Sequence, residues 1–331
     1  IIKAHKIYYY IPFLAIIKLD LELRKVKPGI IHVQGSNVSP YLFYALLLKR
    51  YKKIVTYHSY PSRELVAHGR LKENSVKYTF LRLFEKFTFS KSDRIITVTK
   101  SLKNWLSEDF DSEDKIFTIP NGVNTIKFDY KIDNNYIMNK LNLSNDEYII
   151  FHAKAFVPNN GQEYIIKAMP EILRHYKNVK LILAGDGPTK SKLVELSKKL
   201  KIFNNVLFLG EVPHEEIPQL MSASNVVVVP SVQMNGFEEG SSIFSLEAMA
   251  MKKPVIASNV GGFKDSIVNG KNGLLIPDKN SDAIAHNILK LIKDPIFADK
   301  LAENALNYVK NERNWSKIAK DTLKIYESIS N

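Results

Sequence analysis

The chain reads as an α/β protein of two domains, each built on a parallel sheet, and three observations carry that reading. Its 331 residues exceed one compact domain and suit two. Short apolar runs alternate with helical stretches along the whole length, the pattern of strand–helix–strand units. Those runs are β-branched and nearly continuous in hydrophobicity, as strands covered on both faces are. Hydrophobic residues make up 45% and charged residues 24%, which excludes a disordered or fibrous chain. There is no cysteine, so a disulfide framework, a thiolate metal site and a cysteine nucleophile are excluded together. Lys18 and Asp20 interrupt the longest apolar run, so none reaches the length of a membrane span. No charged-then-apolar leader with a cleavage site is visible, and a cytoplasmic location is expected.

In the front half, strands are expected at residues 30–34, 54–57, 94–98 and 116–119. The back half repeats the pattern at 148–152, 180–184, 206–210, 226–230, 255–257 and 273–276, with amphipathic helices such as 162–176 and 189–200 between. Residues 129–145 are polar, Asn-rich and weakly periodic, and are the expected hinge. The domains are then residues 1–135 and 136–315, with a closing helix at 316–331 returning to the first.

Charge divides along the same line. Of a net charge of +13, residues 1–130 carry +10 and the remainder only +3. A basic front half suits an anionic partner such as a membrane surface or a phosphorylated acceptor, while no nucleic-acid recognition motif accompanies it.

Open parallel sheets bind ligands beyond the carboxyl ends of their strands. In the back half those positions hold Lys154 and Pro158-Asn159-Asn160-Gly161, then Gly185-Asp186-Gly187-Pro188, Glu211-Val212-Pro213, the polar loop 231–242, and Ser258 to Gly262. Glycine and small polar residues in five consecutive loops on one rim point to a ligand cleft.

The sharpest segment runs from Glu239 through Gly240, Ser241, Ser242 and Ile243 to Glu247, ahead of Ala248-Met249-Ala250. A loop closing into a helix at Gly240–Ser242 directs uncapped amides and the positive end of the helix dipole outward, which suits a phosphate. Glu239 and Glu247 stand at most about 12 Å apart along a helix. Carboxylates accept from paired hydroxyls and repel phosphate, so the arrangement fits hydroxyl-bearing groups at each end of a diphosphate. That is the outline of a nucleotide sugar.

With Pro254-Val255-Ile256-Ala257-Ser258 and Gly261-Gly262, this segment resembles the retaining glycosyltransferases of family 4. The resemblance extends through Ala184-Gly185-Asp186-Gly187-Pro188, the stretch from Ile119 to Asn124 and the stretch from Ser224 to Ser231, and covers residues 30–315. It implies the GT-B fold, two Rossmann-like domains facing across a cleft, with nucleoside-diphosphate sugar as donor substrate. Neither a covalently bound cofactor nor a metal is implied for the chemistry. Glu239 matches the family's glutamate at the donor sugar, and Glu247 the one that holds the ribose hydroxyls. His58, in Thr56-Tyr57-His58-Ser59, matches the cleft histidine that meets the donor sugar or its phosphates. Backbone groups near Val212 and Pro213 are expected to hold the base. Lys154, Asn160, Gly185 and Gly187 complete the expected donor site, with a glycan or lipid-linked acceptor hydroxyl opposite. His32, His68 and His152 are expected to be structural, with lining of the acceptor side as the alternative for His68.

Two departures stand out. Ala155 and Asn160 occupy the positions where the family places an Arg and a Lys on the diphosphate. Each lost donor there costs on the order of 3 kcal/mol of transition-state stabilisation, so Lys154 and the Gly240–Ser242 helix start are expected to hold the phosphate, or activity to be poor. The chain also begins near what looks like the family's third strand, at residues 6–11, so the N-terminal domain is expected to be incomplete.

A basic, aromatic stretch at residues 63–91 is a further expectation, as a helix lying on an anionic membrane. The alternatives are a catalytically weak or inactive sugar-nucleotide-binding relative and a nucleotide-sugar epimerase of the same architecture. A nicotinamide dehydrogenase is disfavoured, because Lys190 stands where the third glycine of the fingerprint belongs.

Overall fold

A computed structural model describes residues 12–35, 40–67, 69–111, 113–234 and 243–330. The expected strand at residues 6–11, His68 and the segment Glu239, Gly240, Ser241, Ser242 lie outside the described residues. The chain packs as two units. Of the described residues, the first takes in those up to Pro120 together with those from Ala319 onward, and the second those from Asn121 to Ile318.

In the first unit, strands β1 (Ile30–Gln34), β2 (Lys52–Tyr57), β3 (Arg94–Thr97) and β4 (Ile116–Thr118) form a parallel sheet in sequential order. Val55 and Tyr57 sit in its core with Phe84, Phe89, Leu102 and Leu106. Helices start where a side chain can satisfy a free amide. Ser75 accepts from Tyr78 N ahead of the helix Val76–Lys91, and Thr99 from Leu102 N ahead of Lys100–Phe110.

The second unit carries β5 (Tyr148–Ala153), β6 (Val179–Ala184), β7 (Val206–Gly210), β8 (Val226–Val229), β9 (Val255–Ser258) and β10 (Leu274–Ile276). Its all-parallel order is β10-β9-β8-β5-β6-β7, the doubly wound arrangement in which the order reverses between β5 and β8. The unbroken hydrophobicity of these strands has a direct cause. Ile149, Phe151, Val227 and Val229 fill one core, whereas Ile150, Leu181, Val226 and Val228 fill the other, on the opposite face. On that second face the helix Gln162–His175 lays Ile165, Ile166, Met169 and Ile172 against Ile284, Ala285 and Ile288 of the helix Ser281–Lys293.

Two expectations are corrected. The stretch 129–145 is no linker: Ile137, on a short helix Asn135–Lys140, is buried in the second unit's core, and Ile132, Met138, Leu141 and Leu143 pack against it. The chain accordingly leaves the first unit after Pro120, ahead of the expected division at 135. Residues 63–91 form no single helix but fall into Pro61–Ala67 and Val76–Lys91. Phe84 and Phe89 there are buried, while Phe80 faces out.

Gly161 holds the left-handed φ of 69°, and a Cβ on it would lie 2.0 Å from the carbonyl oxygen of Pro230. Gly161→Ala is therefore expected to lose about 2–4 kcal/mol in denaturant unfolding. Gly270→Ala has a similar φ of 75° with nothing within 4 Å, and is expected to lose only about 1 kcal/mol.

Candidate active site

The loops at the carboxyl ends of β5 and β6 are built by close backbone approach. Lys154 N donates to Ala184 O at 3.1 Å, and Phe156 N to Asp186 O at 2.9 Å. A Cβ on Gly185 would sit 2.3 Å from Lys154 O, and one on Gly187 2.5 Å from Phe156 O. Backbone packing alone thus requires glycine at both positions. Asp186 is engaged as well, accepting from Gly187 N at 2.7 Å and from Lys190 Nζ at 2.5 Å.

Asn160 is buried, and its Nδ2 donates to Ala155 O at 2.8 Å, where Gln162 Nε2 also donates at 2.9 Å. Its amide holds the turn. Ala155 is exposed, and Lys154 beside it is half-buried, the one cation of this loop. His152 on β5 is buried; it bonds Val228 O through Nδ1 at 2.8 Å, while its Nε2 has no partner among the described residues. Burial holds its pKa down at about 4, so it is a neutral histidine of the sheet.

Glu247 lies on the helix Ile243–Ala250, which is buried from Phe244 to Ala250 and begins at an exposed Ile243. Burial pushes its carboxyl up to about 7, against the pull of the Lys127 charge. The group that faces it is His214, on the loop after β7 that also carries Val212 and Pro213, with Nε2 3.7 Å from Glu247 Oε1. The Nδ1 of His214 is bonded by Lys127 Nζ. An ammonium can only donate, so Nδ1 accepts and the proton sits on Nε2, aimed at the carboxylate. Lys127 and His214 escaped the sequence reading, although His214 directly follows the Val212-Pro213 pair it singled out. Among the described residues no group of three or more His, Cys, Asp or Glu could hold a metal ion.

In the first unit, His58 follows β2 with its side chain exposed. Its Nε2 bonds Gln34 Oε1 at 3.1 Å, and Gln34 Nε2 lies 3.2 Å from His32 Nε2. His32 also bonds Thr56 Oγ1 at 2.8 Å and Tyr326 OH at 2.6 Å. Burial and then the nearby His58 hold His32 down at about 4, and desolvation lowers His58 as well. The loop beyond His58 is clamped by a polar network. Tyr60 bonds Asp109, Arg82 bonds both Tyr60 and Glu85, and Ser62 donates from N and Oγ to Glu85 at 2.8 Å each.

The family model of glycosyl transferases group 1 matches residues 133–308, and that of glycosyltransferase family 4 matches residues 4–127. An uncharacterized glycosyltransferase of Methanocaldococcus jannaschii is 34% identical over 251 residues, 75% of this chain and 63% of that protein. The chain thus spans less than two thirds of that relative's length. Sucrose-phosphate synthase from Thermosynechococcus elongatus superposes with a TM-score of 0.75 at 25% identity, over 99% of this chain and 80% of that one. Anabaena HepE in complex with UDP superposes with a TM-score of 0.80 at 20% identity, over 95% and 82%.

Glu247 favours its neutral form in the folded chain, so its contribution to stability is complete below about pH 4.5 and is lost as the pH rises through about 7. Glu247→Gln is therefore expected to be more stable than the parent by roughly 2 kcal/mol at pH 8. Below pH 4.5 that difference is expected to vanish in urea titrations.

Proposed function

The chain belongs to the glycosyl transferases group 1 family, and from that premise we propose that it transfers a sugar, with retention of configuration, from a nucleoside-diphosphate sugar to an acceptor hydroxyl. One observation carries the donor assignment: the Glu247 carboxylate is buried, with His214 3.7 Å away and the Lys127 charge acting on it among the described residues. A buried carboxylate gains from hydrogen-bond donors, and the vicinal hydroxyls of a ribose supply two. The likeness of fold to HepE, which binds UDP, supports the same class of donor.

In this reading the bond between the anomeric carbon and the diphosphate oxygen breaks, and its electron pair leaves with the nucleoside diphosphate. The acceptor oxygen bonds that carbon on the face being vacated, and its proton passes to the departing phosphate. Glu239 orients sugar hydroxyls, His58 meets the donor, and backbone groups near Val212 and Pro213 hold the base. Lys154, with Gly240, Ser241, Ser242 and Ile243, takes the developing charge. Asn160 is tied to Ala155 O, so it adds little there, and turnover is expected to be slow. No metal enters this account.

Ala155 and the tied Asn160 also favour a second reading, a relative that binds the sugar nucleotide and does not turn it over. A thermal-shift screen across nucleoside-diphosphate sugars separates the two. One of them is expected to stabilise the chain, by about 2.7 kcal/mol at a hundredfold excess over its Kd. Glu247→Gln is expected to weaken that ligand about 10–100-fold. In the parent, affinity should rise with pH through about 7 as the carboxylate ionises. Stabilisation with no release of nucleoside diphosphate would favour the binding-only reading, and no stabilisation by any sugar nucleotide would refute both.

The first unit fits an anionic bilayer as the place where a lipid-linked acceptor is met. On the helix Val76–Lys91, the exposed Val76, Phe80 and Leu83 fall at helical spacing, with Phe80 62% and Val76 87% exposed. Phe87 on the same helix stacks at 5.2 Å on Phe43 of the helix Pro40–Leu47, where Leu47 is also exposed. Exposed Lys77, Lys86 and Lys91 accompany them. Among the described residues no helix is long and apolar enough to cross a membrane, so the proposed contact is peripheral. The parent is expected to sediment with phosphatidylglycerol vesicles, and the double variant Phe80→Glu, Leu83→Glu to stay in the supernatant. Equal failure of both to sediment would remove the membrane from the proposal.

A further inference from the structure

The bonds that surround His58 fix more than its position. A glutamine side chain has one accepting end and one donating end, and Gln34 bridges Nε2 of His58 and Nε2 of His32. With both rings neutral, one of those two nitrogens must carry a proton and the other must not. The Gln34 amide selects between them, because its nitrogen is turned to His32 and its oxygen to His58. The Nε2 of His32 receives Gln34 Nε2 and Thr56 Oγ1, both able to donate, so its proton lies on Nδ1 and is given to Tyr326 OH. Gln34 then turns Oε1 to His58, which answers with an Nε2 proton. The remaining nitrogen of His58, Nδ1, has no hydrogen-bond partner among the described residues.

We infer that Tyr326, His32 and Gln34 are positioning residues that hold His58 in the tautomer protonated at Nε2, so that its Nδ1 meets a ligand as a hydrogen-bond acceptor. An acceptor takes a sugar hydroxyl and disfavours phosphate oxygens. The inference therefore deepens the donor reading above, on which its functional meaning rests: it assigns His58 to a hydroxyl of the transferred sugar, and the diphosphate to other groups. The low pKa of both rings is consistent with two neutral imidazoles at pH 7. Edge-on packing of the His32 and Tyr326 rings, with centroids 5.6 Å apart, keeps the phenol in line.

The relay makes an unusual demand of Tyr326, which is 268 positions from His58 in sequence. In Tyr326→Phe the proton on His32 Nδ1 loses its acceptor, so the ring is expected to move it to Nε2. Gln34 must then turn its amide around and donate to His58 Nε2, and the His58 proton moves to Nδ1. Nitrogen-15 NMR of the free protein, which tells a protonated imidazole nitrogen from an unprotonated one, reads this directly. The parent is expected to show His58 protonated at Nε2, and Tyr326→Phe to shift it toward Nδ1. In Gln34→Glu, where both carboxylate oxygens accept, His58 is expected to stay protonated at Nε2 while His32 changes to Nε2.

His58 protonated at Nδ1 in the parent would overturn the inference. So would an unchanged His58 in a Tyr326→Phe protein that keeps the parent's circular dichroism. Should Tyr326→Phe fail to fold, the His32 resonances of the exposed-site variant Gln34→Glu decide, since an unchanged His32 tautomer there denies the bridge. The NMR needs no donor. Tautomers as expected, with no sugar nucleotide stabilising the chain, would refute the donor reading and leave the relay standing.

Discussion

The second unit depends on how β5 meets its two neighbours. It pairs with β6 along its whole length, from Tyr148↔Val179 to Ala153↔Ala184, but with β8 only at Ile150↔Val226 and Phe151↔Val227. Beyond those pairs the two strands part, at the place where the sheet order reverses. The parting is bounded: Val232 N donates to Asn159 O at 2.8 Å, and Gly161 lies against Pro230 O. The loops after β5 and β8 are thereby held against each other at the carboxyl ends, the rim where open parallel sheets carry their binding loops.

The first unit solves a different problem. The chain after β2 must carry His58 outward and then turn at once into the helix Pro61–Ala67. Glu85 receives both the amide and the hydroxyl of Ser62 at the start of that helix, and it is buried. Burial pushes its pKa up, opposed by the bonds from Ser62 and Arg82. Such a group is costly to bury alone and is tolerated because its lone pairs are answered. Arg82 joins it to Tyr60 and Asp109, so one polar cluster ties together the loop, Val76–Lys91 and Lys100–Phe110.

Much of the architecture was legible because strand content has a local cause. Runs such as Val226 to Val229 are hydrophobic throughout since alternate residues feed two cores, and a reader of the chain sees that as a buried strand. The stretch 129–145 misled for the converse reason. Its polar residues outnumber the apolar ones, Ile132, Ile137, Met138, Leu141 and Leu143, that decide where it packs. At the candidate site, the sequence put Glu247 inside a helix, and it lies in the helix Ile243–Ala250. Lys127 and His214 were not legible, because what makes them partners of Glu247 is proximity across the fold. Asn160 read as a ligand donor from its place in a loop, yet its amide completes the turn it sits in. His32 read as structural, which is true of its burial but leaves out what its second nitrogen does to Gln34.

The helix Trp315–Ser330 gives the first unit residues that follow the whole of the second in sequence, including the buried Ile325 and Ile329 and the Tyr326 phenol. A ribosome adding roughly 5–20 residues per second takes on the order of 10–40 s to travel from Pro120 to Ala319. For that interval the nascent front sheet waits unsealed, with the whole rear unit already emerging and able to fold. Maturation of the two halves therefore ends in the reverse of their order in the gene: the part translated first is finished last.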